Sequence, residues 1–151
     1  MESDSLGLES PAPTPSVLVA REGVRIPVPG GKLIEELMGR ASTASEGFSL
    51  AHMVAPGGWT EPPQTPSFGE LTIVIRGQLA VEVAGQQHAI GAGQAIYTAA
   101  GERVVYSNPF DEEAEYYAIC WPAFSPDGAG REEDAPVESS PVESSQVEQA
   151  P

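Results

Sequence analysis

Between Gly47 and Trp121 glycines cut the chain into short runs of alternating apolar and polar residues, and this spacing limits the possible architectures before any motif is considered. In ELTIVIR, Leu71, Ile73 and Ile75 share one face while Glu70, Thr72, Val74 and Arg76 share the other, the period of a strand. Leu79, Val81 and Val83 alternate after Gly77, and Gly85-Gln86 begins a hairpin turn into His88 and Ile90. A turn on Gly91 and Gly93 precedes QAIYT, and Gly101 precedes RVVYSN; EYYAICW closes the series and GFSLAHMV opens it. Short strands at this density predict an all-β antiparallel sandwich or small barrel. KLIEELMG stays open. Leu33, Ile34, Leu37 and Met38 have helical spacing with Gly39 as a terminator, but strand alternation fits it nearly as well.

Composition bounds the rest. The chain's 151 residues suffice for one domain with a real core. A formal charge of −15, from 22 acidic and 7 basic residues, repels nucleic acid and anionic membranes, and no Lys/Arg cluster interrupts it. Lysine occurs once, as Lys32, and Glu dominates; this bias suits a salt-rich cytoplasm or simply an acidic domain with acidic tails. The only cysteine, Cys120, permits no intrachain disulfide and fits a reducing compartment. The N-terminal MESDSLGLESPAPTPS lacks a basic region and a long apolar run, and no stretch approaches membrane-spanning length, so a cytoplasmic protein is expected. The layout expected is a disordered tail over 1–16, a domain over 17–126 and a disordered acidic tail over 127–151. The duplicated PVESS of that tail is either a solvating segment or a docking peptide.

Two spaced patterns carry a resemblance. Glu70 and Gly77, with Gly57 or Gly58 upstream, and Gly93, Gly101 and Asn108 downstream, fall in the register of the two motifs of the cupin superfamily. The segments GWTEPPQTPSFGELTIVIRG and EYYAICWPAF are similar to a subgroup of small cupins, and distantly to the cupin of ethanolamine-utilisation operons. The resemblance covers roughly Val24 to Phe124. It implies a double-stranded β-helix, or jelly-roll barrel, and a homodimer formed through edge strands.

The departures matter as much. The family's His-x-His positions hold Pro63 and Thr65, or Gln64 and Pro66, depending on register; the third histidine position holds Val104, and the motif proline is Ala99. Of four usual metal ligands only Glu70 remains. First-row metals at neutral pH favour imidazole nitrogen, so a tight mononuclear site is not expected. The alternative is an oxygen-rich site of Glu61, Gln64, Glu70 and Tyr106 for a hard divalent ion such as Mg or Mn. His52 and His88 read as surface or edge histidines.

The family's geometry turns Glu70 into the barrel, with Thr72 beside it and Val104 and Tyr106 facing the same cavity. Glu61, Gln64 and Thr65 then belong to a loop at the mouth, and its four prolines stiffen it as either a binding lid or a plug. A buried Glu70 needs a metal, Arg103, Arg76 or the Tyr106 hydroxyl as partner, or else hydrogen bonds from the loop backbone. Trp59 and Trp121 either line the mouth or pack in the core or an interface, and Cys120 reads as a small buried apolar residue. No catalytic residue is assigned. The leading expectation is a metal-free site for a small polar molecule made by Glu70, Thr72, Gln64, Val104 and Tyr106. Two alternatives stand beside it: an enzyme, with the oxygen-ligand metal site or the phosphoryl transfer that the ethanolamine-utilisation likeness implies, and a scaffold module using its acidic tail.

Overall fold

The computed structural model describes residues 14–132. Nine strands run in chain order: β1 (Val24–Arg25), β2 (Leu33–Met38), β3 (Ser49–Ala55), β4 (Gly69–Arg76), β5 (Gln78–Val83), β6 (Gln86–Gly91), β7 (Ala95–Thr98), β8 (Val104–Ser107) and β9 (Ala114–Trp121), followed by one helical turn, α1 (Pro126–Ala129). They form a six-stranded sheet in the order β1-β2-β3-β9-β4-β7 and a three-stranded sheet in the order β6-β5-β8, with every pairing antiparallel. The all-β expectation is met as a two-sheet jelly-roll barrel.

KLIEELMG is a strand. Its register against β3 shifts between Glu36 and Met38, so Leu37 is an extra residue that breaks strict alternation. That bulge is why a helical period fitted the segment as well as a strand period did.

Inward residues of the two sheets meet in one apolar cluster at the closed end of the barrel. Val74, Leu79, Val81, Val104, Tyr106, Tyr116 and Trp59 are all buried there. Burying a large side chain of this kind contributes roughly 1.5–3 kcal/mol. A smaller cluster of Phe68, Cys120 and Ala129, with Phe124 against it, lies apart from the first. Part of the six-stranded sheet's inner face is formed by small residues. Reading across the strands, one row runs Glu36, Ala51, Ala118, Thr72, and the next runs Ser49, Cys120, Glu70. Two methyl groups at the centre of this floor leave space above it.

Motif residues hold corners. Gly77 has a positive φ of 78°, and a Cβ there would collide with the Glu113 carbonyl. Asn108, fully buried, donates to the Ala55 and Glu112 carbonyls at 3.1 and 2.8 Å and accepts from the Phe110 amide. It fixes the turn from β8 to β9, a structural task needing no ligand.

The chain stays ordered past residue 126, where the domain was expected to end. Ser125 caps α1 by accepting from the Gly128 amide at 2.9 Å. The strap then runs beside the 61–68 loop: Thr65 donates to Gly130, Ser67 to Gly128 and Glu132 to Pro63, at 2.8–3.0 Å. Arg103 fastens Glu132 at 2.6 Å. The remaining tail assignments, over 1–13 and 133–151, lie outside the described residues.

Candidate functional site

The space above the small-residue floor is a cavity of about 300 Å³, at the lower end of the range for ligand pockets. Its lining is apolar at Ile26, Ile34, Met53, Phe68 and Phe124. Its polar side chains include Lys32, Glu61, Gln64, Glu70, Tyr106 and Arg131. Strand parity delivers most of this set. Lys32, just before β2, shares the inward parity of Ile34 and Glu36, and Glu70 stands one residue into β4 beside Cys120. Loop residues Glu61 and Gln64 are held by backbone bonds to β8: Glu61 donates to Tyr106, while Gln64 and Val104 exchange bonds of 2.8 and 3.0 Å.

Lys32 is the central feature. Its Nζ lies 4.2 Å from the centre of the Trp59 ring and 5.4 Å from that of Tyr116, a cation–π seat on two aromatic rings. Among the described residues it makes no ion pair. Burial pulls the amine below its ordinary pKa, against the fields of Glu61 and Glu70. The same burial pushes Glu61 up, and raises Glu70 to about 7 with help from the Glu61 charge, although Lys32 opposes the shift. Lys32, Glu61 and Glu70 are each half-buried and line the cavity. Glu70 is thus a carboxyl group balanced between its protonated and ionised forms near neutrality.

The neighbours complete the picture. Gln64 donates its amide to Glu61 Oε2 at 2.7 Å. Tyr106 and Thr98 share a hydroxyl contact of 3.3 Å, and the Tyr106 hydroxyl also faces Glu70. Burial pushes the phenols of Tyr106 and Tyr116 and the thiol of Cys120 well up, so all three stay protonated. Cys120 lines the cavity as an inert thiol.

Several expectations need correction. Glu70, Gln64 and Tyr106 do line the cavity, but Thr72 and Val104 do not: at 1% and 0% exposure they are sealed in the packed interior. Parity alone puts a residue on the inner face without telling whether a neighbour covers it. Thr72 Oγ1 is left with no hydrogen-bond partner. Neither arginine reaches Glu70. Arg76 pairs with Glu113 and Glu115 on the outer face at 3.3 and 3.2 Å, and Arg103 holds Glu132. The cation beside Glu70 is Lys32, which sequence reasoning missed. Its signal was the parity of KLIEELMG, hidden while that segment read equally as helix. Trp59 belongs to the core, whereas Trp121 lies on the outer face, 41% exposed and stacked on Tyr97 at 5.7 Å. His52 is a surface rather than an edge histidine, since β3 is paired on both sides: its Nε2 is 2.8 Å from Glu115 and its ring lies 5.2 Å from that of Tyr117. His88 is exposed on β6.

The donors do not suit a divalent metal. Gln64 turns its amide nitrogen, not its oxygen, toward Glu61, and a lysine amine already supplies the positive charge between Glu61 and Glu70. Among the described residues no three His, Cys, Asp or Glu side chains are grouped to hold an ion.

The fold and this inward-facing site define a cupin-type barrel. Residues 51–120 match the family model described as Cupin domain, so this region is a cupin domain, one without the metal-binding histidines. Its barrel is similar to a Cupin 2 conserved barrel domain protein from Salinispora arenicola CNS-205, with 24% identity, a TM-score of 0.53, and 61% of this chain and 76% of that one covered. It is also similar to the EutQ protein of Clostridium difficile, with 19% identity, a TM-score of 0.51, and 62% and 65% covered. In sequence, 116 residues are 42% identical to Endoribonuclease YbeY of Myxococcus xanthus (strain DK1622). That match takes in 77% of this chain but 40% of the other protein, so the likeness concerns a part of a longer chain.

Proposed function

We propose that this cupin binds a small polar molecule with an apolar portion in the barrel cavity, without a metal. Lys32, Glu61, Gln64, Glu70 and Tyr106 would contact the polar part. The observation that carries the reading is the pairing of a cavity of about 300 Å³ with ionisable side chains that face it. Burying charge is costly, and a purely structural core would have filled the space with apolar side chains. The test is a thermal-shift screen of small carbonyl compounds, acids, amines and polyols against the native chain and Ala118→Phe, which fills the floor. A shift in the native chain that vanishes in the filled variant supports the reading; no shift from any class removes it.

Metal-dependent chemistry, and phosphoryl transfer by analogy with EutQ, form the competing reading. Near-stoichiometric metal by mass spectrometry, lost in Glu70→Gln, would favour it over ours. The ribonuclease activity in the Myxococcus relative's name is not carried over, because a charge of −15 opposes nucleic acid.

For the assembly, we propose a homodimer through the outer face of the six-stranded sheet, where Ile75, Tyr97 and Trp121 are 48%, 54% and 41% exposed. Sedimentation of Trp121→Glu as a monomer beside a dimeric native chain would bear this out, and a monomeric native chain would end it. A cytoplasmic setting goes with the free Cys120 thiol. Among the described residues no helix is long and apolar enough to cross a membrane.

A further inference from the structure

We propose that Lys32 is a nucleophilic amine that captures a small aliphatic aldehyde or ketone as an imine, with Glu70 as proton donor and Glu61 as proton acceptor. The inference deepens the cavity-binding reading and rests on it. Lys32 is the only lysine of the chain, and the fold spends it inside the barrel rather than on the surface, where lysines are ordinarily found.

Its placement suits attack rather than structure. A structural buried lysine is held by carboxylates in ion pairs. Here Nζ rests on the faces of Trp59 and Tyr116 at 4.2 and 5.4 Å and forms no ion pair among the described residues, while its field still reaches both carboxyl groups. The other charged groups facing the cavity are Arg131, at the strap, and Glu36. Glu36 Oε2 is occupied by the Ala41 and Ser42 amides and the Ser42 hydroxyl at 2.8–2.9 Å. Glu61 and Glu70 therefore remain as the carboxyl groups able to move protons near Nζ. Two cations, Lys32 and Arg131, face these two carboxyl groups, so the four groups around Nζ carry no surplus positive charge to recruit an anion, and a neutral carbonyl compound fits beside them. The apolar lining at Ile34, Met53, Phe68 and Phe124 would take its hydrocarbon part. Desolvation of the amine and of Glu70 acts in the same direction, since it increases the share of free base and of carboxylic acid at neutral pH.

The step balances without a further reagent. The Nζ lone pair forms the N–C bond, and the carbonyl oxygen takes the Glu70 proton. Glu61 removes a proton from the new ammonium to give the neutral carbinolamine. The hydroxyl then leaves as water with the proton held by Glu61, the C=N bond forms, and the iminium proton returns to Glu70. One amine and one carbonyl yield one imine and one water.

The experiment uses butanal with sodium cyanoborohydride at pH 7 on the full chain, followed by peptide mapping, with butanol thermal shifts in parallel as an unreactive readout of cavity occupancy. We expect one butyl group on Lys32, added roughly tenfold or more faster than to Lys32 of the urea-unfolded chain, and slowed to a similar degree in Glu70→Gln. A cooperative thermal melt of Glu70→Gln shows that it is folded, and this variant covers the case in which Lys32→Met fails to fold. Labelling of the N-terminal amine alone, or of Lys32 no faster in the folded chain, would overturn the proposal. If butanol shifts the native chain in that event, the cavity reading survives and only the amine chemistry falls; if it does not, both fall.

Discussion

Lys32, Glu61 and Glu70 inside the barrel and Arg76, Glu113, Glu115 and His52 on its outer face are two clusters made from the same kinds of side chain. Strand β4 contributes to both, Glu70 inward at one end and Arg76 outward at the other. Outside, each charge meets a partner: Arg76 lies 3.2 Å from Glu115 and 3.3 Å from Glu113, and His52 lies 2.8 Å from Glu115. Inside, the charges feel each other without closing ion pairs. The consequences have opposite sign. His52 and Arg76 hold the Glu115 carboxyl below its ordinary range, whereas desolvation lifts Glu70 to about 7. Solvent lets the outer cluster pair cheaply and gain little. The interior cluster costs stability, because its charges are desolvated without the close ion pairs that would offset that cost.

The largest expected effect comes from removing the interior cation. Lys32→Met leaves two carboxyl groups facing each other in a desolvated cavity and should destabilise the fold by roughly 3–5 kcal/mol at pH 8. The loss should be smaller at pH 5, because burial raises both carboxyl groups and low pH favours their neutral forms; urea melts at the two pH values measure it. An equal loss at both would mean that the interior is no more desolvated than the outer face.

Glu70 comes next. Its folded pKa lies above the unfolded value, so the folded state holds the extra proton between pH 4.5 and about 7. Stability from this group is greatest at low pH and falls as pH rises through that window, by an amount on the order of 3 kcal/mol. Glu70→Gln should flatten this part of the stability–pH profile. The outer cluster has the reverse sign: the Glu115 contribution is present above its unfolded pKa and is lost as pH falls through the depressed folded one.

A buried polar group without charge sharpens the contrast further. Thr72→Val replaces a hydroxyl that has no partner and should raise stability by about 1 kcal/mol in equilibrium unfolding. The smallest effect belongs to Arg76→Ala. Its exposed pairs should leave the urea midpoint unchanged in 1 M salt and barely lowered in dilute buffer.

The barrel was legible because alternation and glycine turns are local: β4, β5, β6, β8 and β9 follow the runs read in the sequence. Glu70, Gln64 and Tyr106 were legible from motif register. Lys32 was not, because one inserted residue, Leu37, blurred the period that would have turned it inward. The strap over 126–132 was not, because its Gly, Asp and Pro content resembles a tail, and what orders it is backbone pairing to a loop distant in sequence. Thr72 and Val104 show the converse: correct parity, but shielding set by packing.

The floor of the cavity carries one more consequence. Its ionisable groups Lys32, Glu61 and Glu70 stand just before β2, on the 61–68 loop and on β4, whereas its depth is set by Ala51 and Ala118 at the middle of β3 and β9. Capacity and chemistry are therefore independently adjustable. Exchanging either alanine for serine, valine or leucine would regrade the size of guest admitted while leaving the proton-handling groups in place. Relatives of this barrel could thus diverge in the size of molecule admitted through single changes at positions other than those of the ionisable groups.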